Sequence, residues 1–127
     1  MKIDKINFDG KKNSIEVLDK IFAGKINKKL VARGDSVTVI DNLNTGKEEN
    51  LKSVRDKIIF FNDSILNTNL LEKETDGVDG VFHQAALASV QDSFSKPEEY
   101  HNVNVNGTEN ILKLAEKNKF KVVYASS

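Results

Sequence analysis

The 127 residues contain no cysteine, which excludes disulfide staples, thiolate nucleophiles and cysteine-based zinc sites. Two histidines leave a metal centre little to draw on. No apolar run approaches the roughly 20 residues that cross a bilayer, and the first residues lack the apolar core of a secretion signal. A cytoplasmic protein with no membrane partner is therefore expected. With one proline in the chain there is no Pro-rich linker, and neither an internal repeat nor a low-complexity tract is visible. Neither sign of charge prevails: nineteen basic residues balance nineteen acidic ones, which argues against a nucleic-acid partner for the chain as a whole. The hydrophobic share, 39%, supports one compact domain with a modest core and is too small for two independent ones.

The charge is not evenly spread. Residues 1 to 31 carry eight lysines against Asp4, Asp9, Glu16 and Asp19, a net of +4, so the remainder carries −4. Such asymmetry hints at segments with different work. The opening, "KIDKINF" then "DGKK" then "SIEVL", has short β-prone runs about an Asp-Gly pair and suits a hairpin. "DKIFAGKINKKLVARG" has helical spacing of Ile21, Phe22, Ile26 and Leu30, with Gly34 as its stop. "SVTVID" at 36–41 and "KIIFFND" are nearly continuous apolar runs of the kind buried in a parallel sheet. "NTGKEENLKSVRD" between them is expected to be a loop and short helix. "DGVFHQAA" is expected to be a fourth strand and "FKVVYASS" the last. The segment from Ser95 to Asn118 is expected to be one long helix, with Ser95 and Glu98 as a capping box and Pro97 in its first turn. Strands alternating with helices from residue 36 onward indicate βαβ units and an open parallel sheet.

In such a sheet ligands sit beyond the carboxyl ends of the strands. The residues found there are Asp41 and Asn42, then Asp63, then His83 to Ala86, then the final Ala-Ser-Ser. A carboxylate at Asp41 can accept both ribose hydroxyls of an adenosine, or be a solvated strand end. Asp63 can meet an adenine edge or serve ordinary turn chemistry. His83 can shuttle protons, although its place at the end of a buried strand favours a structural role. Ala85 and Ala86 allow a backbone to approach a ligand closely or simply pack a helix, and Gly107 permits close helix–sheet packing. His101 is expected on a helix surface.

From about residue 30 to 127 the chain resembles the extended short-chain dehydrogenase/reductase family, specifically nucleotide-sugar 4-epimerases of the UDP-glucose and UDP-N-acetylglucosamine type. The matching stretches are "ARGDSVTVIDNLNTG", "ND" at 62 and 63, "VFHQAALASV", "KPEEYHNVNVNGT" and "VVYASS", in family order and spacing. The resemblance implies an α/β fold, a partial Rossmann-like parallel sheet with flanking helices, and NAD as cofactor. It implies Asp41 on the adenosine ribose, with Asn42, Thr45 and Gly46 around the adenosine phosphate end and Asp63 and Ser64 flanking adenine. Gln84, Ala85 and Ala86 would line the pyrophosphate and nicotinamide ribose, and Asn104 would support the cofactor loops. Ala88 and Ser89 would begin the sugar contacts, and Ser127 would hydrogen-bond the sugar hydroxyl beside a catalytic tyrosine. In the family a Tyr-x-x-x-Lys pair abstracts that hydroxyl proton while hydride passes to NAD. These 127 residues contain no such pair, so a truncated enzyme without turnover is expected; a nucleotide-sugar substrate and a homodimer belong to the intact enzyme.

One signature is missing. Aligned without gaps from Gly34, the family's G-x-x-G-x-x-G falls on Val17, Lys20 and Ala23, and neither valine nor lysine provides the tight turn or the close backbone approach to pyrophosphate. Residues 1–31 are instead similar to the N-terminus of the bacterial large-subunit ribosomal protein four family, with its strand, Asp-Gly-Lys turn, second strand and "IF" before a basic helix. The expectation is a chimera, ribosomal-protein-like over 1–31 and epimerase-like over 32–127. The alternatives are a ribosomal RNA-binding fragment and an inert remnant. "SIEVL" has two possible places: half of a hairpin, or the central slot that the family's first strand would fill.

Overall fold

The computed structural model describes residues 13–17, 23–43 and 48–124, with side chains from residue 28 onward. Among the described residues five strands form one sheet: β1 (Asn13–Val17), β2 (Ser36–Ile40), β3 (Ile58–Phe61), β4 (Gly80–His83) and β5 (Lys121–Tyr124). Their spatial order is β3-β2-β1-β4-β5, and every neighbouring pair is parallel. This is the order of a doubly wound nucleotide-binding sheet, with its switch point between β1 and β4.

The "NSIEV" segment takes the central slot. Val17 pairs with Ile40 on one side and His83 on the other, so both edges of β1 are used by parallel neighbours. A hairpin partner for this strand has no edge left to occupy, and the "KIDKINF" run lies outside the described residues. Central placement also removes the cost of leaving buried backbone groups of β2 and β4 unpaired.

Helix α1 (Ala23–Arg33) connects β1 to β2. It ends at Gly34, whose φ of +94° glycine adopts without strain. Gly34 N–H donates to the Val31 carbonyl and Asp35 N–H to that of Leu30, both at 3.0 Å, which satisfies the last carbonyls of the helix. Two 3-10 turns, Glu48–Leu51 and Arg55–Lys57, follow β2. Helix α2 (Thr68–Glu74), not foreseen from sequence, is capped by Asn67, whose side chain accepts from Leu70 N–H at 3.2 Å.

The expected long helix is divided. Ser95 closes a short helix α3 (Val90–Ser95) and donates its hydroxyl to the Asp92 carbonyl, so it caps nothing downstream. Lys96 holds the cap position of α4 (Pro97–His101) without a side-chain bond. A π-helical turn, Asn102–Asn106, then leads into α5 (Gly107–Asn118). Pro97 does open a helix, where its missing N–H costs nothing.

Alternation along the strands gives the sheet two apolar faces. Leu30, Val37, Val39, Leu51, Val54, Ile58 and Phe82 form one core. Ile40, Ile65, Leu71, Val81, Ala85, Ile111 and Phe120 form the other, beneath α2 and α5. Gly107 sets how closely α5 approaches: a Cβ there would overlap Ile65 Cδ1 and stand 2.7 Å from its Cγ1. Ile65 is buried and stiff at χ1, so it yields little. Gly107→Ala is expected to destabilise by about 1–2 kcal/mol, overpacking exceeding the gain in helix propensity. In an Ile65→Ala background that cost should vanish, as a urea-denaturation double-mutant cycle can show.

Candidate functional site

The carboxyl ends of β2, β3 and β4 converge on a solvent-open cleft lined by Ile40, Asn42, Asp63, Ser64, Ile65, Ala85 and Val103. Asp41 stands one residue past β2 and is 4% exposed. Its N–H donates to the Phe61 carbonyl at 3.1 Å, while its Oδ1 accepts from Leu43 N–H at 2.8 Å. Burial pushes the carboxyl up from its usual range, and the Leu43 bond works against that shift. Leu43 has φ +59°, an outlier for a leucine, so the turn beside the carboxylate is strained. A buried acid next to an uncommon backbone is what a ligand site at this strand end would show.

Past β3, Asp63 is committed to its own turn. Oδ1 accepts from Ser64 N–H at 2.7 Å and Oδ2 from the Asn67 side chain at 2.8 Å. Ser64 Oγ in turn accepts from Leu66 N–H at 3.1 Å. Both residues still line the cleft. Asn67 therefore caps α2 and braces Asp63, a double task that the spacing Asp-x-x-x-Asn could have signalled.

Past β4 the chain runs through Gln84, Ala85 and Ala86 to a buried Leu87. Asn104, from the π-helical turn, accepts from Leu87 N–H at 2.8 Å and donates to the Leu87 carbonyl at 2.9 Å. His83 is fully buried, with Nε2 2.7 Å from Thr108 Oγ1, and burial pushes its pKa down to about 4. The ring is thus neutral and enclosed, the structural alternative for this residue. Thr108 escaped the sequence reading; only its place four residues after Asn104, on the same helix face, could have pointed to it.

Ala88 and Ser89 are exposed beyond Leu87, and Ser89 caps α3 by accepting from Asp92 N–H at 3.2 Å. Thr45, Gly46 and Ser127 lie outside the described residues. Among the described residues no group of three His, Cys, Asp or Glu could hold a metal ion. No helix among them is long and apolar enough to cross a membrane.

The sequence profile of the NAD dependent epimerase/dehydratase family matches residues 24–127. The chain belongs to this family. A curated relative, the UDP-N-acetyl-alpha-D-glucosaminuronate decarboxylase of Bacillus cytotoxicus, is 37% identical over 100 residues, covering 79% of this chain and 31% of its own. The chain thus spans about a third of that relative's length. Among solved structures, the UDP-glucose 4-epimerase of Thermus thermophilus in complex with NAD superposes with a TM-score of 0.79 at 32% identity. That likeness covers 91% of this chain and 37% of the other. A second kind of relative is the large ribosomal subunit protein uL4 of Pelagibacter ubique, 66% identical over 44 residues, which is 35% of this chain and 20% of uL4.

The family is NAD-dependent, and the two ends of that cofactor fare differently against this epimerase/dehydratase site. The adenosine end fits in its chemistry: Asp41 is a buried carboxyl one residue past β2, and the cleft beside it is lined by Asn42, Asp63 and Ser64 together with Ile40, Ile65, Ala85 and Val103. The diphosphate end does not. Val17 is the last paired residue of β1, and the sequence from there to Ala23, the start of α1, contains no glycine. In sequence, the first two glycine positions of the family's motif are held by Val17 and Lys20, which carry side chains.

Proposed function

We propose that the chain is the cofactor-side portion of an NAD-dependent nucleotide-sugar epimerase or dehydratase that keeps an adenosine site and has lost the diphosphate cradle. The observation that supports this is a cleft at the strand ends lined by Asn42, Asp63, Ser64 and Ala85, with the buried Asp41 between two of its lining residues, in a chain whose sequence from Val17 to Ala23 has no glycine. In this reading Asp41 holds the ribose, Asn42, Thr45 and Gly46 surround its phosphate side, and Asp63 and Ser64 flank adenine. Gln84, Ala85 and Ala86 underlie the rest of the dinucleotide, with Ala88 and Ser89 toward the sugar and Ser127 beside the reacting hydroxyl. Turnover of a UDP-sugar is not expected, because the 127 residues contain no Tyr-x-x-x-Lys pair.

Calorimetric titration tests this directly. NAD is expected to bind on the order of millimolar or weaker, and no more tightly than adenosine, since the second half of the dinucleotide finds no matching donors. Micromolar NAD affinity would refute the proposal. Asp41→Asn is expected to weaken adenosine binding roughly 10- to 100-fold, the loss of a charge-assisted pair to the ribose. The fold should not suffer. The Asp41 carboxyl is raised on folding, so its ionised form favours the unfolded chain and costs stability at neutral pH, and asparagine removes that cost.

A chimeric origin is supported by the uL4 match. Only 23 residues precede the start of the family match, so a 44-residue ribosomal match must overlap it. In this reading residues 1–31 derive from a ribosomal protein and 32–127 from an epimerase. Single-molecule DNA reads spanning codon 31 are expected to show separate genes; a continuous frame in every read would establish a real fusion.

A further inference from the structure

We propose that Thr108 and His83 are positioning residues which, with Asn104, pin both ends of the Gln84–Leu87 segment to one turn of helix. The placement of the protons decides the roles. Thr108 Oγ1 donates to the Asn104 carbonyl at 2.8 Å, and a hydroxyl has one proton to give. Toward His83 Nε2, 2.7 Å away, the same oxygen must accept, so Nε2 carries the imidazole proton. Nδ1 is then a bare lone pair, and it is buried with no hydrogen-bond partner among the described residues. A buried acceptor left unpaired is unfavourable. An apolar side chain at the end of β4 would avoid that cost, so the imidazole's use here is its directional bond to Thr108.

Asn104 completes the frame. Its carbonyl receives the Thr108 hydroxyl, while its side-chain amide bonds both the N–H and the carbonyl of Leu87. The segment is thereby tied at residue 83 through Thr108 and at residue 87 through Asn104. The π-helical turn containing Asn104 is of a kind that recurs at functional sites. That the pinned segment underlies a dinucleotide rests on the proposed function; the pinning does not.

Nitrogen-15 spectra of the histidines in the full chain at pH 7 test the proton placement. His83 is expected as a single tautomer with Nε2 protonated and Nδ1 bare; the opposite tautomer, or fast averaging of the two, overturns the proposal. Thr108→Val is expected to release that tautomer and to speed Leu87 amide exchange roughly tenfold, equivalent to one net hydrogen bond, with the Val81 and Phe82 amides unchanged. Thr108→Ser should restore both signals. Equal loss of protection at Val81 and Leu87, or failure of serine to rescue, overturns it. If adenosine does not bind while the tautomer and the rescue hold, the proposed function fails and the pinning stands.

Discussion

Replacing Phe82 with alanine is expected to cost about 3–5 kcal/mol and to lower the urea midpoint by roughly 1–3 M. Phe82 has no exposed surface and shares its core with Leu30, Val37 and Val39. Its strand, β4, lies between β1 and β5, so neighbours on both sides restrict collapse around the cavity. Domains of this size are stable by about 5–15 kcal/mol, so the variant stands near the edge of folding. Phe94 supplies the control. It is 83% exposed on α3, and Phe94→Ala should change stability by less than about 0.5 kcal/mol. Equal effects of the two substitutions would mean that the two phenylalanines are not placed as described.

The second large effect is a dependence of stability on pH. His83 has its pKa pushed down from 6.5 to about 4 by burial. As pH falls below 6.5 the unfolded chain takes up a proton that the folded chain refuses, so stability is complete above that value and is lost down to about 4. The loss attributable to this residue is about 3 kcal/mol. Asp41 acts in the opposite direction, because its raised carboxyl takes a proton first in the folded state as pH falls. Glu72, held below its usual value by Lys117, weakens the fold only as pH drops through 4.5 and below. Comparing the wild type with His83→Gln isolates the histidine: its profile between pH 7 and 4 should be flatter by about 3 kcal/mol. Parallel profiles would show that the ring titrates freely.

What the sequence made legible follows from how much of each element is buried. Strands β2 to β5 announced themselves because each is a nearly continuous run of apolar or β-branched residues, as "SVTVI" and "IIFF" show. Helices α2 and α3 did not. In α2 only Leu71 is buried, and α3 buries no residue at all, leaving Val90 and Phe94 toward solvent, so neither carries an apolar stripe. The capping box at Ser95 misled because that hydroxyl already serves the Asp92 carbonyl one turn back.

At the site, the rule that ligands lie beyond strand ends singled out Asn42, Asp63 and Ala85 from sequence, and these three line one cleft. Thr108 could not be found this way, because its partner His83 is 25 residues earlier and meets it only once α5 lies on the sheet. The placement of β1 was only half legible. "SIEVL" has the composition of a buried strand, but a hairpin and a central slot both suit it, and the choice depends on unpaired edges of β2 and β4 that no local sequence encodes.

On that strand the rest depends, for it is the neighbour that joins β2 to β4 in the sheet. Amide hydrogen exchange resolved by residue tests it most directly. With parallel partners on both sides, the amides of Ile15, Glu16 and Val17 should be protected to the same degree as those of Val81 and Phe82 and lose protection together on unfolding. Free exchange of residues 13–17 while β4 remains protected would contradict the account.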